Sequence, residues 1–88
     1  MLEVKKFGAA WCSPCRALAP ILNEIKAQFK NVPVVEYDVD NDFEEATKYG
    51  IRSVPTVIVI KDGVEVDRVI GLSNKAKYVG ILNEHLGN

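Results

Sequence analysis

At 88 residues the chain has room for one compact domain, residues 1–88, and none for a second. With 48 % apolar and 26 % charged residues it is an ordinary globular mixture with enough Val, Ile and Leu for a core, which argues against disorder. Eleven basic and twelve acidic residues interleave to a net charge of -1, so no basic face is offered to nucleic acid or an anionic membrane, and neither is expected as a partner.

The opening Met1-Leu2-Glu3-Val4-Lys5-Lys6-Phe7 alternates polar and apolar residues and has no apolar run of signal or membrane-spanning length. It reads as a strand over residues 2 to 7, in a protein expected in the cytoplasm. Cys15, Leu18, Leu22, Ile25 and Phe29 recur at helical spacing, which predicts a helix from residue 13 to about 30. Residues 32 to 39 suit a second, largely buried strand, and a helical crossover makes the two strands parallel. Asn41 or Asp42 is placed to cap a short helix, with Glu45 reaching back from its first turn and Gly50 supplying a left-handed stop. Thr56 to Ile60 is a β-branched run, and Asp62-Gly63 signals a two-residue hairpin into Val64 to Ile70. Ser73 or Asn74 starts a last helix whose Val79, Leu82 and Leu86 face the sheet and which ends at Gly87. The order βαβαββα, with right-handed crossovers, predicts an α/β fold with a four-stranded mixed sheet and helices on both faces.

Cys12 and Cys15 are the only cysteines, too few and too close for a disulfide scaffold. They follow the first strand directly and open the first helix, at the carboxyl end of the parallel strands where such sheets bind. A helix N-terminus carries about half a positive elementary charge and unpaired N–H groups, and both favour a thiolate at Cys12. Arg16, one turn inside, adds to that field or is a solvated surface residue. Pro14 is tolerated in the first turn because its missing N–H would have been unpaired there. Residues three apart in a helical turn have Cα atoms about 5 Å apart, inside the disulfide window of roughly 4.4 to 6.8 Å. The pair can therefore cycle: Cys12 attacks a substrate disulfide and Cys15 resolves the mixed disulfide. Zinc, or an iron–sulfur cluster shared between chains, are the competing uses of this spacing. Zinc needs two further ligands, and His85, the single histidine, is expected as an exposed residue near the end of the last helix. No metal and no cofactor is expected. Pro20 is expected to kink the first helix.

The segment Phe7-Gly8-Ala9-Ala10-Trp11-Cys12-Ser13-Pro14-Cys15 resembles the active-site stretch of the thioredoxin family, with Ser13 where the family usually has Gly. The likeness runs on through Pro20, Tyr49-Gly50-Ile51-Arg52-Ser53-Val54-Pro55-Thr56, Lys61-Asp62-Gly63 and Gly71. It covers nearly the whole chain; the N-terminal strand and helix of a full-length member have no counterpart. The resemblance implies a protein-disulfide reductase acting through Cys12 and Cys15, a monomer, serving disulfide-containing proteins and recharged by a flavin-dependent thioredoxin reductase. It further implies a cis peptide bond before Pro55 and a docking surface of Trp11, Val54, Pro55 and Gly71. Two alternatives remain: a glutathione-coupled glutaredoxin-like reductase, disfavoured because Ile70-Gly71-Leu72-Ser73 lacks a Gly-Gly, and a non-catalytic binding module of the same fold.

One departure concerns the acid that the family buries in the first strand, five residues before the active-site Trp, and its Lys partner on the neighbouring strand. Those positions are Lys6 and Glu36 here, so the two charges are exchanged. Lys6 and Glu36 are expected to form a partly buried pair beneath Cys15 and to relay its proton, through Glu36 and a water or through a deprotonating Lys6.

Overall fold

Apolar side chains on both faces of the first strand require cover from two sides, and the structure is layered around that strand. The computed structural model describes residues 1–87. The elements are β1 (Leu2–Gly8), α1 (Ser13–Gln28), β2 (Val34–Asp38), α2 (Phe43–Lys48), β3 (Thr56–Lys61), β4 (Val64–Ile70) and α3 (Lys75–Leu86). The strands lie in the order β2-β1-β3-β4. β1 runs parallel to β2, with Val4 opposite Val34 and Lys6 opposite Glu36, and antiparallel to β3, which is antiparallel to β4.

β3 alternates between two cores, as a strand buried on both faces must. Val57 and Val59 join Leu18, Leu22, Tyr78 and Leu82 beneath α1 and α3. Ile58 and Ile60 join Phe7 and Ala46 beneath α2. Helices therefore cover both faces, as the element order predicts. Asp62 (φ 51°) and Gly63 (φ 84°) both take left-handed conformations, the requirement of the two-residue hairpin that Asp-Gly signals. α1 continues through Pro20, which sits on the exposed side where the carbonyl left without its helical donor can meet water.

Five local expectations are corrected. β2 is not largely buried: it is an edge strand with one neighbour, and Val35 and Glu36 are exposed. Glu45 does not reach back to cap α2, because its carboxylate instead accepts a hydrogen bond from Lys5 Nζ at 2.7 Å, a charge-assisted bond that outcompetes a neutral cap. The Asp42 side chain turns away from α2 to accept from the Asp38 N–H. In α3 it is Tyr78 and Leu82 that are buried, with Val79 half-buried and Leu86 exposed in the last turn. His85 is not exposed: Lys61 Nζ donates to its carbonyl at 2.9 Å, drawing the helix end onto β3, and its Nε2 is buried.

Lys5 joins β1 to α2 and lies over the rings of Tyr49 and Tyr37, 4.9 and 5.6 Å from their centroids. The hydrogen bond to Glu45 raises the Lys5 pKa and holds the Glu45 carboxyl below its usual range. A depressed carboxylate contributes stability that is complete above the unfolded value of about 4.3 and is lost as pH falls through the folded value. Glu45→Gln is therefore expected to cost about 1 kcal/mol at pH 7 in urea unfolding, with the difference from the unsubstituted protein shrinking as pH falls below the unfolded carboxylate value of about 4.3.

Candidate active site

β1 ends at Gly8, and residues 9 to 12 carry the chain from the sheet to α1. Cys12 is the N-cap of that helix: its backbone is extended (φ -95°, ψ 106°) and its Sγ accepts the N–H of Cys15 at 3.1 Å. The sulfur thus takes the place of the hydroxyl or carboxylate oxygen of an ordinary cap. Ser13 and Pro14 open the helix, and no acidic side chain in the first turn offsets its positive end. The Cα atoms of Cys12 and Cys15 are 5.3 Å apart and the two sulfurs form a disulfide. Exposure is 4 % for Cys12 and 3 % for Cys15, so position in the cap, rather than accessibility, distinguishes the two thiols.

Arg16 does not face solvent idly. Its guanidinium donates to the Ala10 carbonyl at 2.9 Å and to Ser13 Oγ at 3.0 Å, clamping the active-site loop to the helix start. Trp11 is 68 % exposed, and its Nε1 donates to Asp40 Oδ2 at 2.9 Å. A groove of about 140 Å³ runs from Trp11 past Val39, Ile51, Arg52 and Ser53 to Val54. The Val54–Pro55 peptide bond is cis, and the Pro55 carbonyl accepts the Gly71 N–H at 2.8 Å. Trp11 and Val54 thus share a groove, and Pro55, whose side chain is fully buried, ties Gly71 to the Val54 loop. Exposed Ile70 and Leu72 flank Gly71 and enlarge this apolar surface. Their signal in the sequence was a pair of large apolar residues astride a glycine at a strand end; Asp40, which orients the indole, had none.

Lys6 and Glu36 face each other, with Nζ 3.7 Å from Oε1. The Lys6 side chain is 11 % exposed and that of Glu36 47 %, so the pair is buried on the lysine side only. Glu36 has a closer partner, Lys26 of α1, whose Nζ donates to Oε2 at 2.9 Å. Lys26, and to a smaller extent Lys6, hold the Glu36 carboxyl below its usual range. Lys26 lies one turn beyond Leu22 on α1. Gly8 separates Lys6 from the redox pair: a Cβ on Gly8 would lie 3.0 Å from Lys6 Nζ and 3.3 Å from Cys15 Sγ. Among the described residues, no three His, Cys, Asp or Glu side chains group as metal ligands, and no helix is long and apolar enough to cross a membrane.

A family model described as Thioredoxin matches residues 2–84. The thioredoxin of Chlamydia caviae is 40 % identical over 79 residues, spanning 90 % of this chain and 78 % of that one. The thioredoxin of Staphylococcus aureus is 38 % identical over 86 residues, spanning 97 % and 83 %. A solved thioredoxin from Nicotiana alata superposes with a TM-score of 0.90 at 34 % identity, covering 96 % of this chain and 72 % of that chain. Proteins of this kind use a redox-active disulfide without a cofactor, act on disulfide-containing proteins and take electrons from a thioredoxin reductase. With a cysteine pair spaced and bonded for that chemistry, the chain belongs to the thioredoxin family and is a thiol–disulfide oxidoreductase that reduces protein disulfides.

Proposed function

We propose that Cys12 is the attacking thiolate and Cys15 the resolving thiol of this reductase. The observation that carries the assignment is the Cys15 N–H directed at Cys12 Sγ in the cap of α1, a bond and a helix field that favour negative charge on Cys12 over Cys15. Cys12 attacks one sulfur of the substrate disulfide, and the other sulfur leaves as a thiolate and takes a proton from water. Cys15 then gives up its proton and attacks Cys12 Sγ, the bond to substrate breaks, and the second substrate thiol departs. Two electrons pass to substrate, and the Cys12–Cys15 disulfide remains.

Trp11, Val54 and Gly71 form the docking surface for an extended substrate segment, with the buried Pro55 beneath it, supported by the groove from Trp11 to Val54 and by exposed Ile70 and Leu72 beside Gly71. Ser13 and Pro14 shape the helix start, and Lys6 and Glu36 control the proton at Cys15. Residues 1–88 act as a single domain, since both cores draw on elements from the two halves of the chain. The protein works as a cytoplasmic monomer, each chain carrying its own cysteines and docking residues. A flavin-dependent thioredoxin reductase recharges it. Nucleic acid and membrane are not partners, a reading supported by the balanced charge.

In an insulin-type reduction assay Cys12→Ser abolishes turnover, while Cys15→Ser accumulates a mixed disulfide visible by mass spectrometry; accumulation in Cys12→Ser instead would reverse the roles. Trp11→Ala is expected to raise KM for a protein disulfide about tenfold, equivalent to about 1.4 kcal/mol of docking, with a smaller effect on a small-molecule disulfide. NADPH with a flavin thioredoxin reductase sustains turnover and glutathione does not. Efficient recycling by glutathione would favour the glutaredoxin-like alternative.

A further inference from the structure

A buried thiol is disfavoured as a thiolate because charge is poorly solvated away from water. Cys15 is 3 % exposed. The Lys6 ammonium lies nearby: its Nζ and the Cys15 Sγ stand 3.0 and 3.3 Å from the position that a Cβ on Gly8 would take. Glu36 would neutralise that ammonium if it closed upon it. It stands off at 3.7 Å, while Lys26 holds its other oxygen at 2.9 Å.

We propose that Lys6 is a positioning residue for the resolving step: its ammonium, left incompletely neutralised because Lys26 holds Glu36, stabilises the Cys15 thiolate, so that Cys15 attacks without a carboxylate base. This rests on the reading of Cys15 as the resolving thiol. The Cys15 proton passes to water; beside Lys6, a groove lined by Gly8, Glu36, Tyr37 and Asp38 opens to solvent. The thiolate then attacks Cys12 Sγ, the Cys12–substrate bond breaks, and its electron pair leaves on the substrate sulfur.

The other charged or titratable groups around this pair do not take over the role. Arg16 on α1 is committed to Ala10 and Ser13 at the mouth of the site. Asp38, the last residue of β2 and opposite Gly8 in register, accepts from the Asp40 N–H and from Asn41 Nδ2. Tyr37 stacks on Phe7 on the opposite face of the sheet. β3 offers apolar Val57 opposite Lys6. Tyr78 of α3 is kept neutral by burial, which raises its pKa.

Single-turnover kinetics with 2-nitro-5-thiobenzoate loaded on Cys12 read the step directly, since release of the aromatic thiol reports attack by Cys15. The pH midpoint of that release is measured from about pH 5 to 9, bracketing the thiol range. Lys6→Met is expected to raise the midpoint by about one pH unit, slowing release about tenfold at pH 6, as loss of a neighbouring opposite charge does. Lys6→Arg restores the original profile. Glu36→Gln removes the counter-charge and moves the midpoint down; Lys26→Met frees Glu36 to close on Lys6 and moves it up. These last two alter side chains that are 47 % and 38 % exposed and carry the test if Lys6→Met does not fold. Opposite shifts for Glu36→Gln and Lys26→Met support the proposal; unmoved midpoints, or shifts of the same sign, overturn it. Cys15→Ser serves as control: release at the unsubstituted rate in that variant would remove the resolving role itself, a failure distinct from that of Lys6.

Discussion

The chemistry depends on one hydrogen bond, from the backbone N–H of Cys15 to the sulfur of Cys12. A helix must satisfy its first N–H groups, and here a thiol sulfur does so in place of an oxygen. The same bond holds Cys12, the proposed nucleophile, at the positive end of α1, with Cys15 one turn on and facing inward. Cap, nucleophile and disulfide are one structural device.

The sheet makes that device rigid. β1 lies between β2 and β3 and is covered by helices on both faces, so the point at which the chain leaves it for α1 is fixed from four directions. The same strand carries Lys6 towards Cys15 and Lys5 towards Glu45, because successive residues of a strand point to opposite faces. One lysine thus lies beside the redox pair, and its neighbour fastens α2.

How much of this was legible follows from which interactions are local. The hairpin at Asp62-Gly63 was readable because both positions need left-handed backbone and the residue types allow it. The parallel pairing of β1 with β2 followed from the crossover helix, and the facing of Lys6 and Glu36 from strand alternation. Side chains with a choice of distant partners were not readable. Glu45 had a local cap within reach and took Lys5, forty residues away in the chain. Glu36 was matched with Lys6 across the sheet but bonds more closely to Lys26 on α1, and Trp11 is oriented by Asp40 from the loop after β2. His85 and Leu86 exchanged their expected exposures because Lys61 draws the His85 carbonyl onto β3. Local sequence signals place the elements of the site; competition among long charged side chains decides its electrostatics.

On the proposed mechanism, Cys12 is favoured as the thiolate by its place in the helix cap and Cys15 by the nearby Lys6. The cap is the more fundamental of the two, because the first attack depends on it. Its most direct measurement is the thiolate absorbance of Cys15→Ser as a function of pH, which isolates Cys12. A midpoint at least one pH unit below the free-cysteine value of about 8.5 is the expected result, and a midpoint at or above that value would contradict the assignment of Cys12 as the helix-activated nucleophile.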